Sequence, residues 1–289
     1  MLSVRVVAAR WEAPDIVSYT LSGPSLPAWE PGAHIDLHLP SGLVRQYSLC
    51  SDFSDLSAYR IAVLAQPSGR GGSMEAHRAL HVGATVSISP PRQTFPLVPA
   101  SRYVFVAGGI GITPLLPMIR QASALGIPWS LFYGARHTAF AAELSGPVTF
   151  VDGLLDLPAI VASSSDAEIY ACGPAPMLDA LSAMRADLHM ERFAPFVAGG
   201  DGSFEVELAR TGVIVPVGAD ETILSAVRAA GADVPSSCEM GFCGTCETKV
   251  LSGTVDHRDD LLTPAERATG NTMMVCVSRA SCARLILDL

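Results

Sequence analysis

Between Ala33 and Leu39 apolar and polar side chains alternate one for one, the period of a β-strand with one face in a core. Similar short runs at 3–8, 16–21, 43–49, 59–65 and 84–89 are separated by Gly, Pro and Ser. Residues 1–100 are therefore predicted to form an antiparallel barrel or sandwich. His34 and His38 fall on the polar side of the alternation and are expected at the surface.

Past residue 101 the pattern changes. An apolar run, Tyr103–Val104–Phe105–Val106, leads into a glycine-rich turn and a helical stretch to about 125. Further apolar runs near 129–134, 147–150 and 168–171 alternate with helical stretches near 156–162 and 175–187. Strands alternating with helices predict a parallel sheet covered on both faces. The segment 196–202, FVAGGDG, is the best linker candidate. Beyond it Phe204, Val206 and Leu208 share one face of a strand, an amphipathic helix follows near 221–230, and then comes a cluster of cysteines.

Composition narrows the function. Of the 289 residues 49% are hydrophobic and 16% charged, which supplies material for two or three packed domains and argues against disorder. The net charge of −9 is concentrated late in the chain: residues 1–100 balance, whereas 201–289 carry thirteen Asp/Glu against seven Lys/Arg. That disfavours nucleic acid as a partner and suits docking on a basic protein surface. The start lacks the pattern of a secretory signal, and the most apolar stretch, 104–119, is broken by Gly and Pro and too short for a membrane span. A cytoplasmic chain is expected, with cysteines that serve as ligands or free thiols rather than disulfides.

The cysteines carry the strongest signal. Cys238, Cys243 and Cys246 are spaced C-x4-C-x2-C, and Cys276 follows after 29 intervening residues. This is the plant-type 2Fe-2S spacing. Thiolates suit iron, a tight loop must bring three of them to one small cluster, and Gly241 and Gly244 let backbone N–H groups approach the sulfurs. A zinc knuckle would show paired C-x2-4-C motifs or mixed Cys/His ligands instead. Cys282 competes for the fourth position; Cys276 is preferred because VCVSRA (275–280) resembles the segment that carries the last ligand in plant-type ferredoxins, and Cys282 is then read as a buried thiol.

Two glycine turns are candidates for a nucleotide. AGGIGITP (107–114) follows a strand and opens a helix, so Gly108, Gly109, Gly111 and Thr113 are placed where a pyrophosphate meets helix N–H donors. YACGPAPM (170–177) repeats the strand-to-helix arrangement with Cys172, Gly173 and Pro174. Arg136, after the run LFYGA, either reaches a cofactor phosphate or is a solvated strand-end arginine. In the β region Arg45 offers a bidentate phosphate contact, Tyr47 a stacking surface and Ser48 a hydroxyl for a ring edge. Gly69–Arg70–Gly71–Gly72–Ser73 precedes a short helical stretch and offers N–H donors to a phosphate.

In their order along the chain, RQYS (45–48), GRGGS (69–73), GGIGITP (108–114), CGP (172–174) and CEMGFCGTC with Cys276 resemble the phthalate dioxygenase reductase family, a branch of the ferredoxin-NADP reductase superfamily. The match spans essentially the whole chain. One departure is Gln93, where the family pattern P-R-N-x-F has asparagine.

The resemblance implies a multidomain fold: an antiparallel β-barrel flavin domain at 1–100, an α/β parallel-sheet nucleotide domain at 101–195, the linker 196–202, and an α+β plant-type ferredoxin domain of β-grasp type at 203–289. It implies FMN, a 2Fe-2S cluster and NADH or NADPH, with NADH favoured; no segment is found for the adenine half of FAD. It implies hydride transfer to the flavin, with Ser48 at the flavin N5 and Cys172 near the nicotinamide, and single electrons leaving through the cluster. The expected partner is a terminal Rieske-type oxygenase, with no membrane contact and a monomeric chain. The alternatives are a reductase for a haem-thiolate monooxygenase, and a non-enzymatic zinc- or cluster-binding regulatory protein.

Overall fold

In the computed structural model every residue is described except 68–70, 194–201, 220, 237, 238, 240, 242, 243 and 260. The chain divides into two compact units, Met1–Phe193 and Ala194–Leu289. The linker expected at 196–202 lies outside the described residues except for Gly202.

The alternating runs of the first hundred residues pair antiparallel throughout. β1 (Leu2–Ala13), β2 (Ile16–Ser22), β3 (Ala33–His38), β4 (Val44–Ser48), β5 (Ala58–Leu64) and β6 (Thr85–Ile88) lie in the order β4-β3-β6-β1-β2-β5, and β7 (Arg92–Gln93) pairs with β3. The two ends of this order meet where the Cys50 N–H donates to the Arg60 carbonyl at 2.8 Å. A sheet joined end to end leaves few open edges. Its inward faces bury Val4, Val6, Leu21, Ile35, Leu37, Ile61 and Val63, and α1 (Gly72–Ala79) adds Ala76 to the same core.

The expectation for His34 fails. Ser89 Oγ accepts from the Asp36 N–H, Arg92 pairs with the Asp36 carboxylate at 2.6 Å, and Thr94 meets His34 Nδ1 at 3.2 Å. The segment 89–95 thus covers the polar face of β3, and both His34 and Asp36 are buried.

The second sheet of this unit is parallel. β8 (Tyr103–Gly108), β9 (Trp129–Gly134), β10 (Val148–Val151), β11 (Glu168–Cys172) and β12 (His189–Glu191) stand in the order β10-β9-β8-β11-β12. Crossovers are made by α2 (Ile112–Ala124), α3 (Leu157–Ala162) and α4 (Ala175–Met184). The central β8 is buried along its length because each face meets a core. Tyr103, Phe105 and Ala107 enter one with Leu115 and Leu131; Val104 and Val106 enter the other with Leu178 and Leu181. The first of these cores also takes in Ile16, Cys50 and Ala62 of the barrel. The chain runs outward from β8 to β10, then returns to the opposite side at β11, so the strand order reverses between β8 and β11. Ligands of open α/β sheets bind beyond the carboxyl ends of the strands at such a reversal.

The second unit is a mixed sheet with a helix against it. β13 (Phe204–Leu208), β14 (Val213–Val217), β15 (Glu247–Ser252), β17 (Thr272–Met274) and β19 (Arg284–Leu287) are ordered β14-β13-β19-β15-β17, while β16 (Val255–Asp256) pairs with β18 (Arg279–Ala280). β13 and β19 are parallel and their other neighbours antiparallel. α5 (Ile223–Ala229) is capped by the Thr222 hydroxyl accepting from the Ser225 N–H, and it buries Ile223, Leu224, Ala226 and Val227. α6 (Pro264–Thr269) opens with a capping box between Thr263 and Glu266. No helix among the described residues is long and apolar enough to cross a membrane.

Candidate functional site

The arginine of RQYS and the last glycines of GRGGS meet in space. α1 starts after Gly71, whose φ of 78° is the left-handed turn that glycine adopts without strain. Gly72 opens the helix directly under Arg45: a Cβ at that position would lie 2.1 Å from Arg45 Nε. The guanidinium, which also donates to the Val44 carbonyl at 2.7 Å, is therefore packed against the first residue of α1. Two independent sources of positive potential converge there, a full charge and a helix N-terminus. The Ser73 hydroxyl accepts from the Gln66 N–H at 3.0 Å and ties this helix start back to the chain before it. Gly69 and Arg70 lie outside the described residues. Tyr47 is half-buried, and burial pushes its phenol well above the usual range, so it stays neutral.

The two glycine turns of the parallel sheet also abut. Ala107 and Cys172 are register partners at the carboxyl ends of β8 and β11. A Cβ on Gly111 would sit 2.1 Å from the Cys172 carbonyl oxygen, and one on Gly108 would sit 2.5 Å from Pro174 Cδ. These turns are pressed together backbone to backbone, and glycine is required for the fit. Gly109 differs: its φ is 54° and nothing lies within 4 Å of a Cβ there, so its peptide borders open space. Thr113 is buried and donates to the Ile110 carbonyl at 3.0 Å, which shapes the first turn of α2. Arg136 is exposed two residues past Gly134, and Gly134 is the register partner of Gly108, so Arg136 follows the same sheet edge.

Barrel and parallel sheet come together at Ser48. Its hydroxyl donates to Glu191 Oε2 at 3.2 Å, and Glu191 is the register partner of Cys172 on β12. All three side chains are buried. Burial raises the Glu191 carboxyl to about 8, with the Ser48 bond opposing the rise. Burial likewise raises the Cys172 thiol well above its usual range, and Glu191 adds to the effect, which makes Cys172 a neutral contact surface and not a thiolate. Sequence reasoning missed Glu191. The strand that carries it is only His189–Glu191, too short for a periodic signal.

In the second unit Cys246 and Cys276 are both buried, at 3% and 2% exposure, which excludes solvent from two thiols that the spacing pairs. Cys238 and Cys243 lie outside the described residues. Gly241 and Gly244 have φ of 86° and 76°, the conformation a tight ligand loop needs. A Cβ on Gly241 would fall 2.7 Å from Val277 Cγ2, so Gly241 rests against the residue that follows Cys276. The buried Asp259 pins the facing segment, accepting from the Leu262 N–H at 2.9 Å and the Ser278 hydroxyl at 3.3 Å. Cys282 is half-exposed, contrary to expectation: its sulfur accepts from the Thr254 N–H at 3.2 Å and its thiol donates to the Arg284 carbonyl at 3.1 Å. The two described thiols and the left-handed glycines fit an iron–sulfur cluster.

Residues 206–281 match the family described as 2Fe-2S iron-sulfur cluster binding domain. The whole chain is 44% identical over 310 residues to the beta subunit of phenoxybenzoate dioxygenase from Ectopseudomonas oleovorans, covering 97% of that protein. An intact type IV self-sufficient cytochrome P450 monooxygenase is 42% identical with a TM-score of 0.80; it covers all of this chain, which spans 41% of its length. Phthalate dioxygenase reductase, described as a modular structure for electron transfer from pyridine nucleotides to 2Fe-2S, is 36% identical with a TM-score of 0.76, covering 100% of this chain and 98% of its own. Likeness at that identity over both full lengths goes beyond a shared fold, and the chain belongs to the phthalate dioxygenase reductase family, the reductase components of oxygenase systems.

Proposed function

We propose that this chain draws electrons from NADH through FMN to its 2Fe-2S cluster and delivers them to a terminal Rieske-type oxygenase. The observation that carries the reading is the bond from Ser48 to Glu191, the register partner of Cys172, because it joins the barrel to β12 beside the strand that borders the sheet-order reversal, the general ligand site of such sheets. Bound together, flavin and cluster convert a two-electron donor into single electrons; the protein's part is placement.

Arg45, Gly71, Gly72 and Ser73 hold the FMN phosphate, with a guanidinium above a helix N-terminus. Tyr47 lines the ring and Ser48 faces its reactive edge. Gly108, Gly109, Gly111 and Thr113, with Cys172, Gly173 and Pro174, hold the nucleotide, its pyrophosphate lying against the open side of Gly109. Arg136 reaches toward the ribose end. Glu191 steadies Ser48 and shuts water out of the junction. Cys238, Cys243, Cys246 and Cys276 ligate the cluster. The domains divide at about residues 100 and 195, and the chain acts as a cytoplasmic monomer.

Anaerobic titration of the full chain with NADH tests this. Bleaching of a flavin band and of a broader iron–sulfur absorption, with uptake of about three electrons, is expected. Bleaching of flavin alone would remove the cluster step. The likeness to a self-sufficient P450 supports a second acceptor, a haem-thiolate monooxygenase. Reconstitution with each oxygenase type separates the two.

A further inference from the structure

Ser48 and Glu191 form one seam between the barrel and the nucleotide sheet; a second lies at Glu143, in a 3-10 turn (Ala141–Glu143) after β9. The Glu143 carboxylate accepts two bonds from Arg60 of β5, each 2.7 Å, one from Arg120 of α2 at 2.7 Å, and one from Arg10 of β1. Arg120 also donates to the Cys50 and Ser51 carbonyls at 3.0 and 2.9 Å, and Arg60 to Cys50 at 2.9 Å. Phe140, which leads into the turn, is buried in a left-handed conformation (φ 61°) with the Arg60 guanidinium 5.2 Å from its ring centre. A bulky residue is held in that conformation only where its surroundings over-determine it.

The position of these bonds matters more than their number. Cys50 and Ser51 follow Ser48 by two and three residues. Arg120 lies on the helix that begins at Ile112, immediately after the GGIG turn. One guanidinium thus connects the end of the flavin strand to the helix that starts at the nucleotide turn. Burial pushes the Glu143 carboxyl up, but its bonds to Arg60 and Arg10 outweigh that and hold it at about 2, so it is ionised at every working pH. Side-chain exposures of 16% for Arg60 and 19% for Glu143 leave little water to screen the pair.

The shared apolar core already holds barrel and sheet together, so the bland reading of this network is added stability. Apolar burial is non-directional, however, while bidentate arginine–carboxylate bonds fix angle as well as distance. We propose that Glu143 and Arg120 are positioning residues for electron entry: they set the alignment of the Ser48 side of the junction against the Cys172–Glu191 side. The inference rests on the flavin and nicotinamide sites assigned above. Reactions between held partners are sensitive to misplacement of about 1 Å.

The test is anaerobic stopped-flow reduction of the full holoprotein by NADH, comparing wild type with Glu143→Gln and, independently, Arg120→Lys. Alignment loss predicts a limiting reduction rate lower by about tenfold or more. Flavin and iron content should stay unchanged, NADH dissociation constants within about twofold, and the isotope effect with 4-deuterated NADH should be larger. Partial recovery in Glu143→Asp is expected. A limiting rate within about twofold of wild type in a folded variant overturns the proposal and leaves the network a stability element. Failure of the wild type itself to bind flavin or to be reduced by NADH would instead sink the assignment of the sites.

Discussion

Ser48 of the barrel donates to Glu191 of the parallel sheet at 3.2 Å, and both side chains are buried. Burial pushes the carboxyl that receives this bond up to about 8, well above an ordinary glutamate. The folded state therefore binds a proton that the unfolded chain has released between about pH 4.5 and 8, and stability falls as pH rises through that window. In Glu191→Gln this component should vanish. Calorimetry of the holoprotein from pH 5 to 8 should show wild type losing more of its Tm than the variant. Parallel curves would mean that Glu191 is ionised throughout.

Gly72→Ala should expel the flavin without unfolding the barrel. The new methyl would stand 2.1 Å from Arg45 Nε, and the guanidinium, being the end of a flexible side chain, would swing away from the helix N-terminus. Loss of one charge-assisted contact weakens FMN retention by about tenfold or more. The flavin-to-protein ratio after dialysis reads this directly, and Arg45→Ala should match it.

Two glycines of one turn should behave differently. Gly111→Ala meets the Cys172 carbonyl at 2.1 Å, backbone that has nowhere to go, so a Tm loss of about 6 °C or more is expected. Gly109→Ala meets nothing within 4 Å and carries only the strain of its φ of 54°. Its stability should drop by about 1 kcal/mol, while its dissociation constant for NADH rises, because the methyl would occupy the open space proposed for the pyrophosphate. Equal stability loss in both variants would remove that distinction.

Cys276→Ser should purify with its flavin and without its cluster, whereas Cys282→Ser should keep both. The first thiol is buried beside the segment that carries the glycine loop; the second is half-exposed and hydrogen-bonded to Thr254 and Arg284. Iron and sulfide content together with the EPR signal of the dithionite-reduced protein decide it.

Arg136→Ala should lower kcat/KM for NADPH by about tenfold while changing that for NADH by less than about twofold, since the place proposed for Arg136, near the ribose, is where an arginine accommodates a 2′-phosphate. Equal effects on both would place Arg136 on the shared pyrophosphate instead.

Much of this was legible in the residues themselves. Barrel strands show through the alternation of Ile35 and Leu37 with their polar neighbours, and the parallel sheet through the uninterrupted apolar run of β8. The glycine turns read correctly as strand-to-helix junctions because glycine marks places where backbones touch, as at Gly111 against Cys172. His34 was misjudged because alternation reports only which face a side chain takes, and the cover over that face comes from residues 89–95, far away in sequence. Glu191 and Glu143 were invisible for a related reason. Each is a lone carboxylate in a short element, and its role depends on Ser48 or on arginines up to 133 residues distant.

The sheet order of the second unit governs when that unit can exist during synthesis. β19, residues Arg284–Leu287, is its middle strand, with β13 on one side and β15 on the other. Until those residues leave the ribosome, the strands that flank them have no partner to join them, and Leu285 and Leu287 are missing from the core that encloses Cys246 and Cys276. Iron delivered earlier would meet thiols with no wall behind them. Nascent chains stalled before residue 284 should therefore fail to retain iron, even though every cysteine of the set has already been translated.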